Sequence, residues 1–189
     1  MSNISNTKVM ILATNGFEQS ELMVPLEKLK QSGATVHVVS PERGEIRGWQ
    51  GKDWGESVKV DKGLTEVTAA DYDALVLPGG QINPDLLRVN EQALKLIKSF
   101  VDSGKVVAAI CHAPWLLVEI DAVRGRQVTS YHSIKTDVKN AGGKWVDKEV
   151  VTDRGIITSR KPDDLNAFVA KIIEEVQEGG HERRRAAAG

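Results

Sequence analysis

The segment VVAAICHAP, residues 106–114, decides the fold class of this 189-residue chain. Small and β-branched apolar residues over 106–110 are typical of a strand buried in a parallel sheet. Pro114 and the apolar residues after it predict a helix that begins at once. Cys111 is therefore expected where a strand turns sharply into a helix. Such a turn can hold a nucleophile in a strained, exposed position at the carboxyl edge of a sheet.

Cys111 has two interpretations. A lone cysteine after an apolar strand is most often a small buried hydrophobe. The positive end of the following helix instead lowers the pKa of a thiol and favours the reactive thiolate. The directly following His112, a candidate general base, favours the second interpretation, as does the strand-to-helix turn itself.

Two other segments repeat the pattern of a buried strand followed by a turn. Residues 9–13 (VMILA) lead into Asn15-Gly16-Phe17-Glu18, and residues 73–77 (DALVL) lead into Pro78-Gly79-Gly80. Amphipathic helices are predicted between the strands, one of them over 18–31 with Pro25 expected to kink or split it. This alternation predicts an α/β fold with a mostly parallel, doubly wound sheet in three layers. The turns at the carboxyl ends of its strands are expected to converge in space.

Composition limits the class of protein. The pattern predicts a single domain over residues 8–178, followed by a disordered tail over 179–189. The formal net charge of −1 provides no general field for nucleic acid or an anionic membrane. One cysteine cannot form an intrachain disulfide, which suits a reducing cytoplasm. We find no pattern of a signal peptide or of a membrane span, so a cytoplasmic location is expected.

Several residues near the predicted turns are candidates for the chemistry. Glu18 is either a solvated acid at a helix start or a carboxyl group that hydrogen-bonds the sulfur and shuttles protons. If it lies in a shielded pocket beside a thiolate, it should be protonated. Gly79 and Gly80 are either plain turn glycines or donors to an oxyanion, together with the amide of His112.

Two further residues have open interpretations. Asp85 can orient the ring of His112, or it can be an exposed acid in the first turn of a helix. Tyr131 can line the pocket or lie on the surface. The histidines and the cysteine lack the spacing of a metal site, and the Gly-Gly turn lacks the Lys-Ser/Thr of a phosphate loop. We therefore expect neither a metal nor a cofactor.

With these segments in their order and spacing, the chain resembles the PfpI family of intracellular cysteine peptidases and protein deglycases, within the ThiJ/PfpI superfamily. The resemblance extends over about residues 8–177. It rests on GFEQSE (16–21), VLPGG (76–80), AICHAP (109–114), TSY (129–131), NAGGKWVD (140–147) and TSR (158–160).

The resemblance implies a flavodoxin-like sandwich related to class I glutamine amidotransferases. It implies Cys111 as the nucleophile, His112 as its partner, Glu18 as the acid touching the sulfur, and Gly79 with His112 as oxyanion donors. Family members associate as dimers or hexamers, and in some hexamers an acid from a neighbouring subunit completes the triad. Asp85 is the residue of this chain nearest to that position.

The function implied is that of a cysteine-dependent stress-response hydrolase. Its expected substrates are reactive carbonyls or glycation adducts on proteins or nucleotides and, less favoured, peptides. The alternative is an oxidation-sensitive stress protein, a redox sensor or chaperone with little turnover. Self-association is expected, and binding to membranes or specific nucleic acids is not.

Overall fold

A computed structural model of the protein describes residues 4–178, and the predicted tail over 179–189 lies outside the described residues. The α-helices are α1 (Gln19–Gln31), α2 (Ile82–Leu87), α3 (Glu91–Asp102), α4 (Pro114–Glu119), α5 (Lys135–Asn140) and α6 (Leu165–Gln177). The strands are β1 (Lys8–Leu12), β2 (Phe17–Glu18), β3 (Thr35–Ser40), β4 (Glu45–Gln50), β5 (Asp53–Lys59), β6 (Lys62–Gly63), β7 (Ala74–Leu77), β8 (Val106–Ile110), β9 (Gln127–Val128), β10 (Lys144–Trp145), β11 (Val150–Asp153) and β12 (Ile156–Ser159).

A seven-stranded sheet organises the molecule, in the order β11-β12-β8-β7-β1-β3-β6. Every pairing in it is parallel except that of the edge strand β11 with β12. The predicted strands β1, β7 and β8 lie side by side at its centre, where β7 and β8 are wholly buried. Their carboxyl ends therefore meet at one edge, as the sequence predicts.

Helices cover both faces of this sheet and create two separate cores. Because successive side chains of a strand point to opposite faces, Val9 and Ile11 of β1 pack with α1 and α6. Met10 and Leu12 of the same strand pack with α3 and α4 on the other face. The result is a three-layer α/β/α sandwich, which confirms the predicted fold class.

Two local features differ from the expectations. Helix α1 runs unbroken through Pro25, whose ring lies on the buried face of the helix. The irregular segment after β3 forms the antiparallel pair β4 and β5, in which the rings of Trp49 and Trp54 meet edge to face at 5.5 Å. Within residues 4–178, no helix is long and apolar enough to cross a bilayer.

Candidate active site

The turn after β8 holds Cys111 in a strained backbone conformation. Its φ angle is 66°, in the left-handed region that residues other than glycine rarely adopt. The surrounding backbone fixes this conformation, because the Cys111 N–H donates to the Ser159 carbonyl at 3.0 Å and its carbonyl accepts from the Tyr131 N–H at 2.8 Å. The residue is only 6% exposed, so the sulfur is much less open to solvent than the sequence predicts.

His112 lies against the sulfur on one side and a hydroxyl group on the other. Its Nδ1 is 3.1 Å from Cys111 Sγ, and its Nε2 is 3.2 Å from Ser133 Oγ. Burial, followed by the nearby charge of His132, lowers the pKa of His112 to about 4. The ring is therefore neutral at pH 7. The two residues are adjacent in sequence, and their side chains are also in contact.

Two aromatic rings fix the orientation of His112. Tyr131 stacks on it with centroids 4.8 Å apart and planes inclined by 24°, and Trp115 meets it at 5.2 Å and 64°. Tyr131, for which a place in the pocket and a place on the surface were both open, thus lies beside the catalytic candidates. It also lines a cavity of about 300 Å³ together with Trp145 and Arg160.

The acid beside the sulfur is Glu21, and the prediction that Glu18 lies there is wrong. Glu18 is the N-cap of α1, and its carboxylate accepts hydrogen bonds from the Ser20 hydroxyl and, at 2.9 Å, from the Glu21 N–H. A side chain that caps the helix satisfies the free N–H groups of the first turn and cannot also turn toward the sheet. Glu21, one turn along, faces inward and is fully buried.

Glu21 joins the turn after β7 to the thiol. Its Oε2 accepts the Gly79 N–H at 2.8 Å, and its carboxyl group lies close enough to the Cys111 thiol for the two groups to shift each other's pKa. Burial, followed by the charge of Glu18, raises the pKa of Glu21 to about 8. Glu21 therefore keeps a proton at neutral pH in a position that touches the nucleophile.

The thiol and Glu21 control each other's ionisation. Burial and the charge of Glu21 raise the pKa of the Cys111 thiol, while the N–H groups of Gly80 and His112 oppose this effect. The position at a helix start predicted a lowered pKa, but α4 has only six residues and the thiol is buried, which raises its pKa. Two adjacent anions are unfavourable here, so a thiolate is stable only while Glu21 is protonated.

The donors that face the sulfur differ partly from those predicted. The Gly79 N–H is already bonded to Glu21, so it is not free for an oxyanion. The N–H groups of Gly80 and His112 are the ones that favour the ionised form of Cys111, since both act to lower the pKa of its thiol. These two N–H groups are therefore the candidates for stabilising an oxyanion formed on a carbon attached to the sulfur.

Position 79 has no space for a side chain, because the turn after β7 packs directly against the nucleophile elbow. A Cβ at this position would lie 2.6 Å from the Ile110 carbonyl oxygen and 2.7 Å from Cys111 Cβ. We expect Gly79→Ala to lower the free energy of unfolding in urea by about 2 kcal/mol or more and to reduce turnover. Gly125→Ala is the control, because Gly125 has open space around it and a φ of 69°.

For Gly125→Ala, only the backbone conformation is strained, and we expect a loss of about 1 kcal/mol with unchanged turnover. Equal losses of stability and activity in the two variants would show that the close approach of Gly79 to the nucleophile has no importance.

Asn83 is a structural residue of the site that the sequence analysis missed. It is fully buried, its Oδ1 accepts the Thr14 N–H at 2.8 Å, and its Nδ2 donates to the carbonyls of Pro78 and Gly79 at 2.9 and 3.2 Å. It thereby ties the end of β1 to the glycine turn after β7. Its place just after Pro-Gly-Gly and before Pro84 was the available signal.

Asp85 does not orient His112 within one chain. It is exposed in the first turn of α2, and the partner of His112 Nε2 is Ser133. The second reading of Asp85, an exposed helix-starting acid, describes its place in the monomer. Among the described residues, no group of three or more His, Cys, Asp or Glu side chains could hold a metal ion.

The residues that build this site all lie within the span of one known family. The DJ-1/PfpI family model matches residues 7–175. The chain belongs to the DJ-1/PfpI family. This confirms the family predicted from the sequence motifs.

Named relatives share most of the chain. Deglycase TK1284 of Thermococcus kodakarensis is 43% identical over 167 residues, 88% of this chain and 98% of that protein. Protein/nucleic acid deglycase 2 of Escherichia coli is 44% identical over 163 residues, 85% and 92% of the two chains. A solved two-domain protein of Anabaena variabilis with DJ-1/ThiJ/PfpI-like and ferritin-like domains aligns with a TM-score of 0.86 and 36% identity. That alignment covers 92% of this chain, which spans about half (49%) of the Anabaena protein.

Proposed function

We propose that the protein is a cysteine-dependent stress-response hydrolase that acts on α-oxoaldehydes or on the glycation adducts they form. The observation that carries this proposal is the contact of Cys111 with two different proton carriers, neutral His112 and protonated Glu21. The deglycase names of relatives more than 40% identical over most of the chain support the substrate class.

The first step forms a carbon–sulfur bond. Cys111 gives its proton to His112 Nδ1, and the sulfur attacks the aldehyde carbon. A glycation adduct reacts in the same way once its amine or thiol has left and the aldehyde is regenerated. The carbonyl electron pair moves to oxygen, where the N–H groups of Gly80 and His112 can stabilise the negative charge. The product is a hemithioacetal in contact with Glu21.

The second step suits a buried carboxyl group. In a hemithioacetal of an α-oxoaldehyde, moving a proton from the first carbon to the neighbouring keto carbon through an enediol gives a thioester. No external oxidant is needed, since one carbon is oxidised as the other is reduced. Glu21 first gives its proton to the negatively charged oxygen of the hemithioacetal, and the resulting carboxylate then takes the proton from the first carbon and returns it to the second. Water then cleaves the thioester to a 2-hydroxy acid and restores the Cys111 thiol.

Small carbonyl compounds fit the site better than peptides do. Cys111 is 6% exposed, which leaves little room for an extended chain at the sulfur. The hydrogen-bond partner of His112 Nε2 is the neutral hydroxyl of Ser133, whereas a hydrolytic triad has a carboxylate at this place. Both features favour an aldehyde, which is attacked without a strongly oriented imidazolium, over an amide.

We also propose self-association as a dimer or hexamer in the cytoplasm. Three apolar side chains are exposed on or just after α2: Ile82 at 37%, Leu86 at 50% and Val89 at 79%. Exposed apolar residues grouped in this way are typical of contact surfaces between proteins. Asp85 lies among them, so a second copy seated there would bury this carboxylate near a subunit boundary.

Turnover of a substrate series tests the proposed function. Wild type and Cys111→Ala should be compared on methylglyoxal, on its hemithioacetal with a small thiol, on its adduct with N-acetylarginine, and on unfolded casein. We expect 2-hydroxy acid from the first three with wild type only. Equal rates for both proteins would end the proposal, and cleavage of casein alone would establish the peptidase instead.

A further inference from the structure

The ring of His112 connects a buried group to an exposed one. Cys111 and His112 are 6% and 4% exposed, whereas Ser133 is an exposed residue in the short 3₁₀ turn His132–Ile134. One ring nitrogen faces the sulfur at 3.1 Å and the other faces the Ser133 hydroxyl at 3.2 Å. Sulfur, imidazole and hydroxyl therefore form a continuous line from the nucleophile toward solvent.

The contacts of His112 provide a route by which the thiol proton of Cys111 can leave the buried site. Glu21 touches the sulfur but is fully buried and already protonated at neutral pH, so it cannot take a second proton or release one to water. His112 has a lowered pKa and does not hold two protons for long. A proton that arrives at Nδ1 must leave from Nε2, and Ser133 is the hydrogen-bond partner at that nitrogen.

We propose that Ser133 is the positioning residue of His112, keeping Nε2 protonated so that Nδ1 can accept the thiol proton, and passing the displaced Nε2 proton to solvent. The S–H bond breaks as an N–H bond forms at Nδ1. The Nε2 proton moves to the Ser133 oxygen, and the hydroxyl proton of Ser133 moves to water. Charge and protons balance, with a thiolate left inside and a hydronium ion outside. The inference rests on the proposed use of Cys111 as a nucleophile.

A hydroxyl group suits this role because it can donate and accept in the same step. A carboxylate at Nε2 would hold one tautomer and favour a charged imidazolium, which the buried site disfavours. Other charged or titratable groups near the sulfur or the ring are Glu21 of α1 beside Cys111, Tyr131 stacked on the ring, Arg88 over the Trp115 ring, Asp137 bonded to the Trp115 indole, and His132. All of them remain unchanged when position 133 alone is varied.

Two substitutions of matched shape test the proposal. Ser133→Thr keeps the hydroxyl group, whereas Ser133→Val replaces it with a methyl group and excludes water from the same space. Because position 133 is exposed, both variants should fold with the same midpoint in urea. The measurement is the rate of Cys111 alkylation by iodoacetamide between pH 5.5 and 9, which does not depend on the substrate of the enzyme.

We expect Ser133→Thr to react at the wild-type rate, and Ser133→Val to react about tenfold more slowly at pH 7 with its rate profile moved to higher pH. Identical profiles for the Thr and Val variants would overturn the role of Ser133. If Cys111 alkylation depends on the hydroxyl but no carbonyl substrate is turned over, the relay stands and the proposed function fails.

Discussion

Replacing Cys111 with serine is expected to reduce turnover of an α-oxoaldehyde at least about a thousandfold. A serine hydroxyl fits the same elbow but is a much weaker acid than a thiol, and only the thiol can ionise with the help of the Gly80 and His112 N–H groups. His112, neutral with a pKa near 4, is too weak a base to deprotonate an alcohol unaided. The measurement is the steady-state rate of 2-hydroxy acid formation.

Folding must be separated from chemistry in this experiment. The strained φ of 66° belongs to the backbone and is held by Ser159 and Tyr131, so Cys111→Ser and Cys111→Ala should unfold in urea within about 1 kcal/mol of wild type. A serine variant that keeps more than a tenth of the activity with wild-type stability would mean that the sulfur is not the nucleophile.

The fold could be predicted because its signals are local and repeated. Buried parallel strands read as short apolar runs, and β1, β7 and β8 each have such a run ended by a turn. The alternation with helices then leaves few topologies. The small sheet of β2, β4 and β5 was harder, since its residues are mostly exposed and its pairing depends on contacts between distant turns.

The site could be predicted only in outline. Cys111 and His112 are adjacent in sequence, and the elbow brings their side chains together. Choosing between Glu18 and Glu21 required the exact start of α1, and boundaries are the least certain part of a sequence prediction. A signal did exist: Glu21 shares a helix face with Leu22 and Leu29, and an acid on an apolar face is unusual.

Contacts between distant turns were beyond the sequence. The bond between Ser133 and His112 spans 21 positions and depends on the hydrogen bond from the Tyr131 N–H to the Cys111 carbonyl, which holds the two turns together. Asp85 shows the opposite limit, because any role it has at the histidine needs a second copy of the chain. Glu21, in contrast, contacts the site within a single chain, and its ionisation is expected to determine how turnover and stability depend on pH.

Glu21→Gln is expected to lower turnover by about two to three orders of magnitude, while Glu18→Gln leaves it within a few-fold of wild type at pH 6. Glutamine at position 21 keeps the shape and can still accept the Gly79 N–H, but it cannot carry a proton to or from substrate carbon. Glutamine at position 18 keeps an oxygen for the N-cap. Comparable losses in the two variants would contradict the assignment of Glu21.

The same pair of variants predicts how stability and activity change with pH. The folded-state pKa of Glu21 is about 8, above its ordinary value of 4.5, so its contribution to stability is complete below pH 4.5 and declines as the pH rises to about 8. Wild type should therefore lose stability relative to Glu21→Gln across this window, by roughly 1.4 kcal/mol per pH unit at most.

Glu18→Gln removes the anion that helps to raise the pKa of Glu21, so its activity should fall at lower pH than that of wild type. Urea unfolding at pH 5.5, 7 and 8.5, with turnover at the same values, measures both effects. A stability difference between wild type and Glu21→Gln that stays constant over this range would mean that Glu21 is ionised in the folded protein, and Glu21 could then not act as the proton carrier.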